Sequence, residues 1–531
     1  MSILRKIGAH VIDEAKTEFV VWAPHAKEIS VEIVDPHKSS IPLLKKDYGY
    51  WSNILDVGAG TRYFYSIDRN KPLPDPASVF QPEGVHGSSE VVDLSKFPWE
   101  DQGWKNIPLK DYVIYELHTG TFSEKSNFEG IIEKISYLKE LGVTAIEIMP
   151  VGQFPGNRNW GYDGVYPFAV QNSYGGPLGL QKLVNECHKN NLAVILDVIY
   201  NHLGPEGNYL AQFAPYFTKK YSTPWGEAVN FDDAYSDGVR NYVIQNSLMW
   251  MKDFHIDGLR LDAIHAIEDF SAYHIMKELS FNKNKLEKNV QRPYYLIAES
   301  NLNDAKYIDD PGKGGYGLDT QWSDDFHHCL HTLVTGENFG YYKDYRGIND
   351  LAKSFKDVFV YDGVYSEFRK RTFGNSVDGH PGDQFVVFAQ NHDQTGNRLK
   401  GDRISTLVDF ESLKLVAGAV FISPYLPMIF MGEEYGETNP FLYFISHTDP
   451  DLVNAVREGR KKEFEGYFEE DFYFDPQDEA TFNQSRLQFT FERDMNSRKL
   501  FEFYKALIFI KKNHPVISSS NRKNIKVDVL S

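Results

Sequence analysis

The sequence predicts an α/β protein in which a (β/α)8 TIM barrel follows a small N-terminal β-sandwich. Short strand patterns separated by Gly and Pro turns, without a helical period, fill residues 1–95. From Asp111 onward, apolar strand-like runs alternate with amphipathic helical segments, and eight such runs can be counted. The length of 531 residues exceeds what one hydrophobic core normally holds, which also favours more than one domain.

The sandwich is predicted from short runs in which apolar and polar residues alternate, as they do on half-buried strands. These runs are Glu18–Trp22, Ile29–Val34 and Thr61–Ile67. We assign residues 1–95 to this unit and residues 96–513 to the barrel.

The eight barrel strands are predicted where apolar runs are bounded by turns or by helical segments. They lie near residues 112–118, 144–149, 193–199, 257–262, 294–299, 317–322, 385–391 and 427–431. Helices are predicted between several of them, as at Phe128–Leu141, Leu178–Lys189 and Asp237–Phe254. Irregular, aromatic-rich sequence after the third strand predicts a loop excursion over the barrel mouth at about residues 203–236.

The end of the chain is predicted to hold a last helix over Arg498–Asn513 and then a short or truncated C-terminal β region. Residues 514–531 are too few for a domain, and one strand is predicted among them, at Ile525–Val529.

Composition favours a soluble globular protein with a neutral or cationic ligand. Hydrophobic residues make up 42% and charged residues 24% of the chain, and the formal net charge is −18. This acidity argues against nucleic acid and anionic membranes as partners. Only Cys187 and Cys329 are present, and they match no zinc or disulfide framework. Since no secretory signal and no membrane-length apolar run is found, a cytoplasmic location is predicted.

Several predicted barrel strands end in a carboxylate, and two end in a histidine as well. Within the segment Asp257–His265, Arg260 and Asp262 lie two residues apart, on one face of the fourth strand near its carboxyl end. The other ends are Asp197–His202 after strand three, Glu299 after strand five and Gln390–Asp393 after strand seven. Because the C-terminal mouth of such a barrel is where catalytic groups gather, these side chains are predicted to meet. For the fourth strand alone, a structural ion pair is the alternative.

Carboxylates that converge on one mouth repel each other, so their presence indicates a reaction that uses them. Glycoside cleavage uses one carboxylic acid to protonate the leaving oxygen and an ionised carboxylate to attack or stabilise the sugar carbon. Glu299, at the end of an apolar strand, is predicted to be the acid, and Asp262, beside Arg260, the ionised nucleophile. His202 and His392 are predicted to donate to sugar hydroxyls. A metal hydrolase is the competing interpretation, but no HxH or HExxH pair lies near these acids.

These strand-end segments resemble the four sequence regions of the α-amylase superfamily, glycoside hydrolase family 13. They are Asp197–His202, Gly258–Asp262, Ile297–Glu299 and Gln390–Asp393. The resemblance implies that Asp262 is the nucleophile, Glu299 the general acid/base and Asp393 the transition-state stabiliser. It also implies that one sugar subsite is lined by Tyr162, His202, Arg260 and His392, with Asp197 as a support. The N-terminal sandwich then resembles the immunoglobulin-like, carbohydrate-binding-like domain of such enzymes.

The resemblance implies further sugar contacts in three segments, after the fourth, sixth and seventh strands. The additional residues are Leu261, Ala263, Ile264, His265, Asp324, Asp325, Phe326, His327, His328, Gln394, Thr395, Gly396 and Asn397. Asp325 is predicted to help select the leaving group. For Asp324–His328, a solvated loop and helix start is the alternative. Trp225 in the mouth loop is a candidate stacking platform, with loop core as its alternative.

Longer stretches narrow the resemblance to superfamily members that release trehalose from malto-oligosyltrehalose. They are Pro72–His86, Phe154–Tyr162, Ala263–Ala266, Gly432–Phe441 and Asp449–Arg460. The implied reaction is cofactor-free hydrolysis, with retention, of the α-1,4 bond next to the terminal trehalose. The implied partners are malto-oligosyltrehalose or a related α-glucan and, in the same pathway, a malto-oligosyltrehalose synthase.

Two other functions are kept as alternatives. They are a glycogen branching or debranching enzyme of the same superfamily and a catalytically inactive amylase-like binding protein. No metal site is predicted, because no shell of oxygen donors accompanies Asn201, where calcium-dependent relatives place a ligand.

Overall fold

A computed structural model describes residues 4–463 and 474–530, and its first part is a sandwich of two antiparallel four-stranded sheets. One sheet contains, in spatial order, Gly8–Asp13, Lys16–Trp22, Tyr50–Leu55 and Leu44–Lys45. The other contains Ser39–Pro42, Ile29–Asp35, Arg62–Ile67 and Ser89–Glu90. The sheets share a core, in which the rings of Phe19 and Tyr63 meet edge to face at 4.8 Å. The predicted sandwich is confirmed.

Eight parallel strands close into a barrel, as predicted. In chain order they are Ile114–Leu117, Ala145–Ile148, Ala193–Val198, Gly258–Leu261, Tyr295–Ala298, Thr320–Trp322, Phe385–Phe388 and Leu426–Phe430. The eighth strand pairs with the first, which leaves no open edge. In the register Asp197 lies beside Arg260, and Leu261 lies beside Ala298. The residues that follow these strands therefore emerge side by side at one mouth.

The helices surround the barrel or cross its loops. They are Thr119–Phe122, Phe128–Ile132, Ile135–Leu141, Gly176–Lys189, Leu210–Phe213, Ser236–Asp253, Ile275–Val290, Asp324–Thr335, Ile348–Asp357, His392–Gly396, Ile404–Leu407, Phe410–Ile422, Pro450–Glu463, Glu479–Gln484 and Met495–Asn513. In the two ranges that the structure describes, no helix combines the length and apolar character needed to cross a membrane.

Short antiparallel pairs decorate the barrel loops. They are Gly152–Gln153 with Tyr166–Val170, Phe217–Thr223 with Gly226–Val229, and Val364–Ser366 with Arg371–Phe373. The pair that begins at Phe217 lies inside the predicted excursion at 203–236. Its tip carries Trp225.

Two predicted elements are wrong. The helix predicted over Phe128–Leu141 is two helices, because Lys134 (φ −99°, ψ 2°) leaves the helical region between them. The strand predicted at Ile525–Val529 does not form, and residues 525–530 carry no regular structure. An isolated run of this length has no neighbouring strand with which to pair. The domain limits near residues 95 and 513 stay predictions.

The segment between sandwich and barrel is fastened to the end of the barrel opposite the mouth. Asp257, which directly precedes the fourth strand, accepts hydrogen bonds from Trp104 Nε1 at 2.8 Å, His188 Nε2 at 2.8 Å and Arg292 Nη2 at 2.7 Å. The other ring nitrogen of His188 faces Asp101 at 2.7 Å. Burial alone would raise the pKa of Asp257, but His188 and Arg292 lower it to about 2. This network ties residues 101–104 to the barrel floor.

Candidate active site

The barrel brings four of the carboxylates highlighted by the sequence to one mouth. Asp197 lies near the end of the third strand, while Asp262 and Glu299 directly follow the fourth and fifth. Asp393 follows the seventh strand, in the first turn of the helix His392–Gly396. The parallel register alone produces this convergence, because all of these strands end on the same side of the barrel.

Arg260 is the cation that three of these carboxylates share, namely Asp197, Asp262 and Glu299. Its side chain is fully buried, and Nη1 donates to Asp197 Oδ2 at 2.7 Å and to Asp262 Oδ1 at 2.9 Å. Its Nη2 lies 3.6 Å from Glu299 Oε2, and the guanidinium lies 4.4 Å from the ring centre of Trp322. Burial raises the pKa of Asp197 to about 6 although Arg260 opposes the shift. The structural ion pair considered as the alternative for the fourth strand, between Arg260 and Asp262, is therefore present. It forms part of the barrel mouth.

Asp262 is held on both carboxylate oxygens. Oδ1 accepts from Arg260, and Oδ2 accepts from Asn201 Nδ2 at 2.7 Å. The same amide donates to the backbone oxygen of Asp262 at 2.7 Å, and its own Oδ1 faces His202 Nδ1. Asn201 is thus a hydrogen-bonding partner of Asp262. These bonds fix the orientation of the carboxylate at the barrel mouth.

The carboxyl of Glu299 differs from that of Asp262 in its burial and in its hydrogen-bond partners. Its side chain is 15% exposed, and Oε2 accepts from the backbone N–H of Ala263 at 2.5 Å. Burial raises the pKa of Glu299 to about 8; Arg260 opposes this shift and Asp262 adds to it, as do Asp324 and Asp393. A carboxyl with this pKa is protonated at neutral pH and can donate a proton.

Ala263 makes this contact from a left-handed backbone conformation, with φ 39° and ψ 49°. Left-handed residues other than Gly cost stability and cluster at functional sites, where the surrounding structure imposes them. Here the unusual backbone turns the Ala263 N–H toward Glu299, directly after the residue predicted to be the nucleophile.

His392 is a buried cation between two of the strands. Its Nδ1 lies 2.5 Å from Glu116 Oε1, and its Nε2 lies 2.7 Å from the hydroxyl of Tyr162. Burial lowers the pKa of His392, but Asp393 and Glu116 raise it to about 9. A doubly protonated ring donates to Glu116 and to the Tyr162 oxygen, while the Tyr162 hydroxyl donates to Asp197 Oδ2 at 2.6 Å.

His202 is also engaged by the protein. Its Nε2 lies 3.0 Å from the backbone oxygen of Tyr162, and its ring stacks on Trp225 at 4.5 Å. Tyr162 in turn stacks on His392 at 5.2 Å. The donor role predicted for His202 and His392 toward sugar hydroxyls stays a prediction, since the ring nitrogens already face protein atoms here.

A cavity of about 820 Å³ opens beside the acids, on the side of the sixth and seventh strands. Of the additional residues implied as sugar contacts, Asp324, Asp325, His328, Gln394 and Asn397 line it. Ala263 and His265 lie half-buried at the mouth. This volume suits a small oligosaccharide or part of one.

The remaining implied contacts lie in the protein interior. Leu261, Ile264, Phe326, His327, Thr395 and Gly396 are all buried. Phe326 packs against Phe355 in the core, and His327 bonds to Ala389 and Tyr342. A Cβ added to Gly396 would lie 2.1 Å from the Trp160 ring, so this glycine is required for packing. For these residues, direct sugar contact stays a prediction.

Asp325 is also better explained as a structural anchor. Its oxygens accept from Tyr345 Oη at 2.5 Å, Asn303 Nδ2 at 2.8 Å, Val360 N at 2.7 Å and Tyr361 N at 3.1 Å. A buried carboxylate with four donors has little capacity left for a sugar hydroxyl. The predicted role of Asp325 in selecting the leaving group is therefore not supported.

Two interior carboxyls were missed by the sequence analysis. Glu116 in the first strand holds His392, and its neighbour in register is Glu147 of the second strand. Burial, Glu116 and Asp197 raise the pKa of Glu147 well above its ordinary value. Each is a single charged residue within an otherwise apolar barrel strand, and this pattern could have marked both as candidate site residues.

Comparisons with known proteins agree with this fold. The family model described as the alpha amylase catalytic domain matches residues 115–224 and 232–520, and carbohydrate-binding module 48, the isoamylase N-terminal domain, matches residues 6–82. A malto-oligosyltrehalose trehalohydrolase of Saccharolobus solfataricus is 51% identical over 96% of this chain and 88% of its own length. An enzyme of that name from Arthrobacter ramosus is 42% identical over 94% of this chain and 87% of its own length. A crystal structure from Salmonella typhimurium, named provisionally as an alpha amylase, is 36% identical, covers 98% of this chain and 89% of its own, and superposes with a TM-score of 0.91.

Proposed function

This chain belongs to the α-amylase family, and we propose that it hydrolyses the α-1,4 bond next to the terminal trehalose of malto-oligosyltrehalose with retention. The contrast between two neighbouring carboxyls carries the chemical part of the proposal. Glu299 has a pKa raised to about 8, whereas Asp262 is bonded on both oxygens by Arg260 and Asn201. An acid and a fixed carboxylate are what this reaction needs.

The first step transfers the Glu299 proton to the glycosidic oxygen while a carboxylate oxygen of Asp262 attacks the anomeric carbon. The bond from carbon to the leaving oxygen breaks, trehalose departs with the proton, and a covalent ester to Asp262 remains. Asp393, the more exposed acid, lines the same cavity as Glu299, and we assign to it the stabilisation of the cationic sugar between these states.

The second step reverses these roles. Glu299, now ionised, takes a proton from water, and the hydroxide oxygen attacks the anomeric carbon and displaces Asp262. Two inversions give net retention. This route requires the carboxyls of Asp262 and Glu299 to lie about 5–5.5 Å apart, and that separation stays a prediction.

The choice of substrate rests on the relatives, since the acids serve every member of the superfamily. Two proteins that carry the name malto-oligosyltrehalose trehalohydrolase are 51% and 42% identical to this chain over nearly its whole length. We propose further that the chain acts in the cytoplasm on the product of a malto-oligosyltrehalose synthase. Its two cysteines, both buried and unpaired, support a cytoplasmic role.

The test is incubation with malto-oligosyltrehalose and, in parallel, with maltoheptaose, followed by chromatography and NMR of the products. The proposal expects trehalose and a malto-oligosaccharide that is initially the α-anomer, with much slower turnover of maltoheptaose. New α-1,6 linkages without trehalose would identify a branching enzyme. Binding without any product would identify an inactive glucan-binding protein. The Glu299→Gln variant is the matched control for contaminating activity.

A further inference from the structure

A histidine is enclosed between two carboxylates at the floor of the barrel, away from the mouth. The side chain of His188 is fully buried; its Nδ1 lies 2.7 Å from Asp101 Oδ2 and its Nε2 lies 2.8 Å from Asp257 Oδ2. Trp104 stacks on the ring, with the centroids 4.6 Å and the planes 14° apart. Asp101 and Trp104 belong to the segment between sandwich and barrel, whereas His188 lies in the last turn of the helix Gly176–Lys189.

This geometry requires a proton on both ring nitrogens of His188. An ionised carboxylate only accepts hydrogen bonds, so a ring nitrogen that faces one must donate. Asp257 is held ionised by Arg292, whose Nη2 lies 2.7 Å from Oδ1, and Asp101 Oδ2 also faces His255 Nδ1 at 2.8 Å. Burial lowers the pKa of His188, but Asp257 and Asp101 raise it above its ordinary value of 6.5.

The other charges near the ring form pairs of their own. Lys189, the next residue of the helix, pairs with Glu100 at 3.4 Å and with Glu186 at 3.0 Å, and these side chains are 29–62% exposed. Asp253, at the end of the preceding helix, pairs with its neighbour Lys252 at 3.7 Å. Solvent screens such pairs, so they affect the protonation of the buried ring little.

The two carboxylates would respond unequally to the loss of one proton from His188. A neutral imidazole has a single N–H, so it can donate to one of them and not to both. Asp257 also accepts from Trp104 Nε1 and from the backbone N–H of Val194, both at 2.8 Å, and stays bound at the floor. Asp101 shares its oxygen with His255, which is 26% exposed. The contact to Asp101 is therefore the one that a neutral ring gives up.

We propose that His188 is a pH-operated latch, which holds residues 97–104 on the barrel floor while it is doubly protonated and releases them when it loses a proton. The opening is local, because Gln181 Nε2 still donates to the backbone oxygen of Leu94 at 3.0 Å. The closed segment keeps a proton that the open segment sheds above pH 6.5. Opening therefore becomes easier as the pH rises from 6.5 to the folded pKa of His188, and it levels off above that value.

The test is hydrogen exchange of the full chain, measured by mass spectrometry from about pH 5.5 to 9.5 and corrected for the intrinsic exchange rate. The amides of Glu100 and Trp104 report on the segment, because they donate to Asn185 Oδ1 and to Asp101 O, both at 2.8 Å. Their opening constant should be flat below pH 6.5 and should then rise by up to about tenfold per pH unit. An opening constant that stays flat over the whole range overturns the proposal.

Two variants separate a latch from a contact that is merely structural. In Asp101→Asn the new amide can donate to the lone pair of a neutral His188, so the contact persists without the second proton and the opening constant should lose its pH dependence. His188→Gln carries no charge at any pH and should open at the alkaline level of the parent throughout. Glu100→Gln removes an exposed carboxylate from the same segment; it is the matched control and should keep the pH dependence of the parent.

The comparison of Asp101→Asn with the parent decides the matter even if His188→Gln fails to fold. A pH dependence in Asp101→Asn equal to that of the parent would assign the titration to another group and overturn the latch. Loss of the pH dependence in Glu100→Gln would overturn it as well. Because exchange is measured without turnover, the outcome is independent of the proposed function.

Discussion

The pKa of Glu299 leads to a prediction about stability as well as catalysis. The side chain has an ordinary pKa of 4.5 and a folded value of about 8, raised chiefly by burial. Between these values the folded state holds a proton that the unfolded state has lost, so stability falls as the pH rises from 4.5 to 8. Glu299→Gln keeps the shape but removes this titration. We therefore expect the variant to become more stable than the parent as the pH rises through that window.

The magnitude follows from the linkage relation. Each pH unit within the window changes the free energy of unfolding by about 1.4 kcal/mol, so the difference reaches up to about 3 kcal/mol at pH 7. A barrel of about 400 residues unfolds with an entropy of about 0.9 kcal/mol/K, from which a rise of about 3–4 °C in midpoint follows. The amide oxygen that the substitution introduces can still accept from Ala263 N–H, so the contact now measured at 2.5 Å is preserved.

The assay is differential scanning calorimetry of parent and variant at several pH values from 5 to 7.5. Glu337→Gln is the control of opposite sign. Burial would raise the pKa of Glu337, but Arg398, at 2.8 Å from both oxygens, and His331 lower it to about 2. That ionised group contributes stability above its unfolded pKa, so its removal should lower the midpoint at pH 7. A midpoint difference for Glu299→Gln that is flat from pH 5 to 7.5 would show that folded Glu299 is ionised and would refute the assignment.

Three further predictions concern the same mouth. The kcat/KM of hydrolysis by the parent should fall as the pH rises past about 8, because Glu299 must be protonated. The Glu299→Gln variant should show a kcat/KM about 10²–10⁴-fold lower, and a near-parent value would assign the acid elsewhere. Glu116→Gln should lower the pKa of His392 from about 9, which NMR of ¹⁵N-labelled histidine can follow, and an unmoved pKa would discount the 2.5 Å contact. Asp325→Ala should lower the free energy of unfolding by about 3–5 kcal/mol, because its hydrogen bonds are lost. The kcat/KM values for malto-oligosyltrehalose and maltoheptaose should fall together in this variant. A changed ratio of the two values would restore Asp325 as a residue that selects the leaving group.

Strand positions and the strand-end acids could be predicted because both follow from local pattern. An apolar run bounded by turns marks a barrel strand, and a parallel barrel directs every strand end to one mouth. Asp262, Glu299 and Asp393 were located in this way without knowledge of any tertiary contact. The role of Glu116 was missed: its charge within an apolar strand could have marked it, but its pairing with His392, 276 residues away, has no local signal.

The segment Asp324–His328 shows why contacts are harder to predict than positions. All of its residues were implied as sugar contacts, with a solvated loop and helix start as the alternative, and the structure makes it the start of the helix Asp324–Thr335. Successive residues of a helix point about 100° apart, and residues four apart share a face. Asp324 and His328 therefore both line the cavity, while Phe326 and His327 turn into the core.

The fourth barrel strand separates two tasks over a distance of a few residues. Asp257, at its floor end, holds the interdomain segment, and Asp262, at its mouth end, is bonded to Arg260. For protein engineering this means that the two ends can be altered as independent modules. Substitutions among the partners of Asp257 adjust how firmly the N-terminal unit is attached, and a screen for heat tolerance at the floor can proceed without a parallel screen for lost turnover.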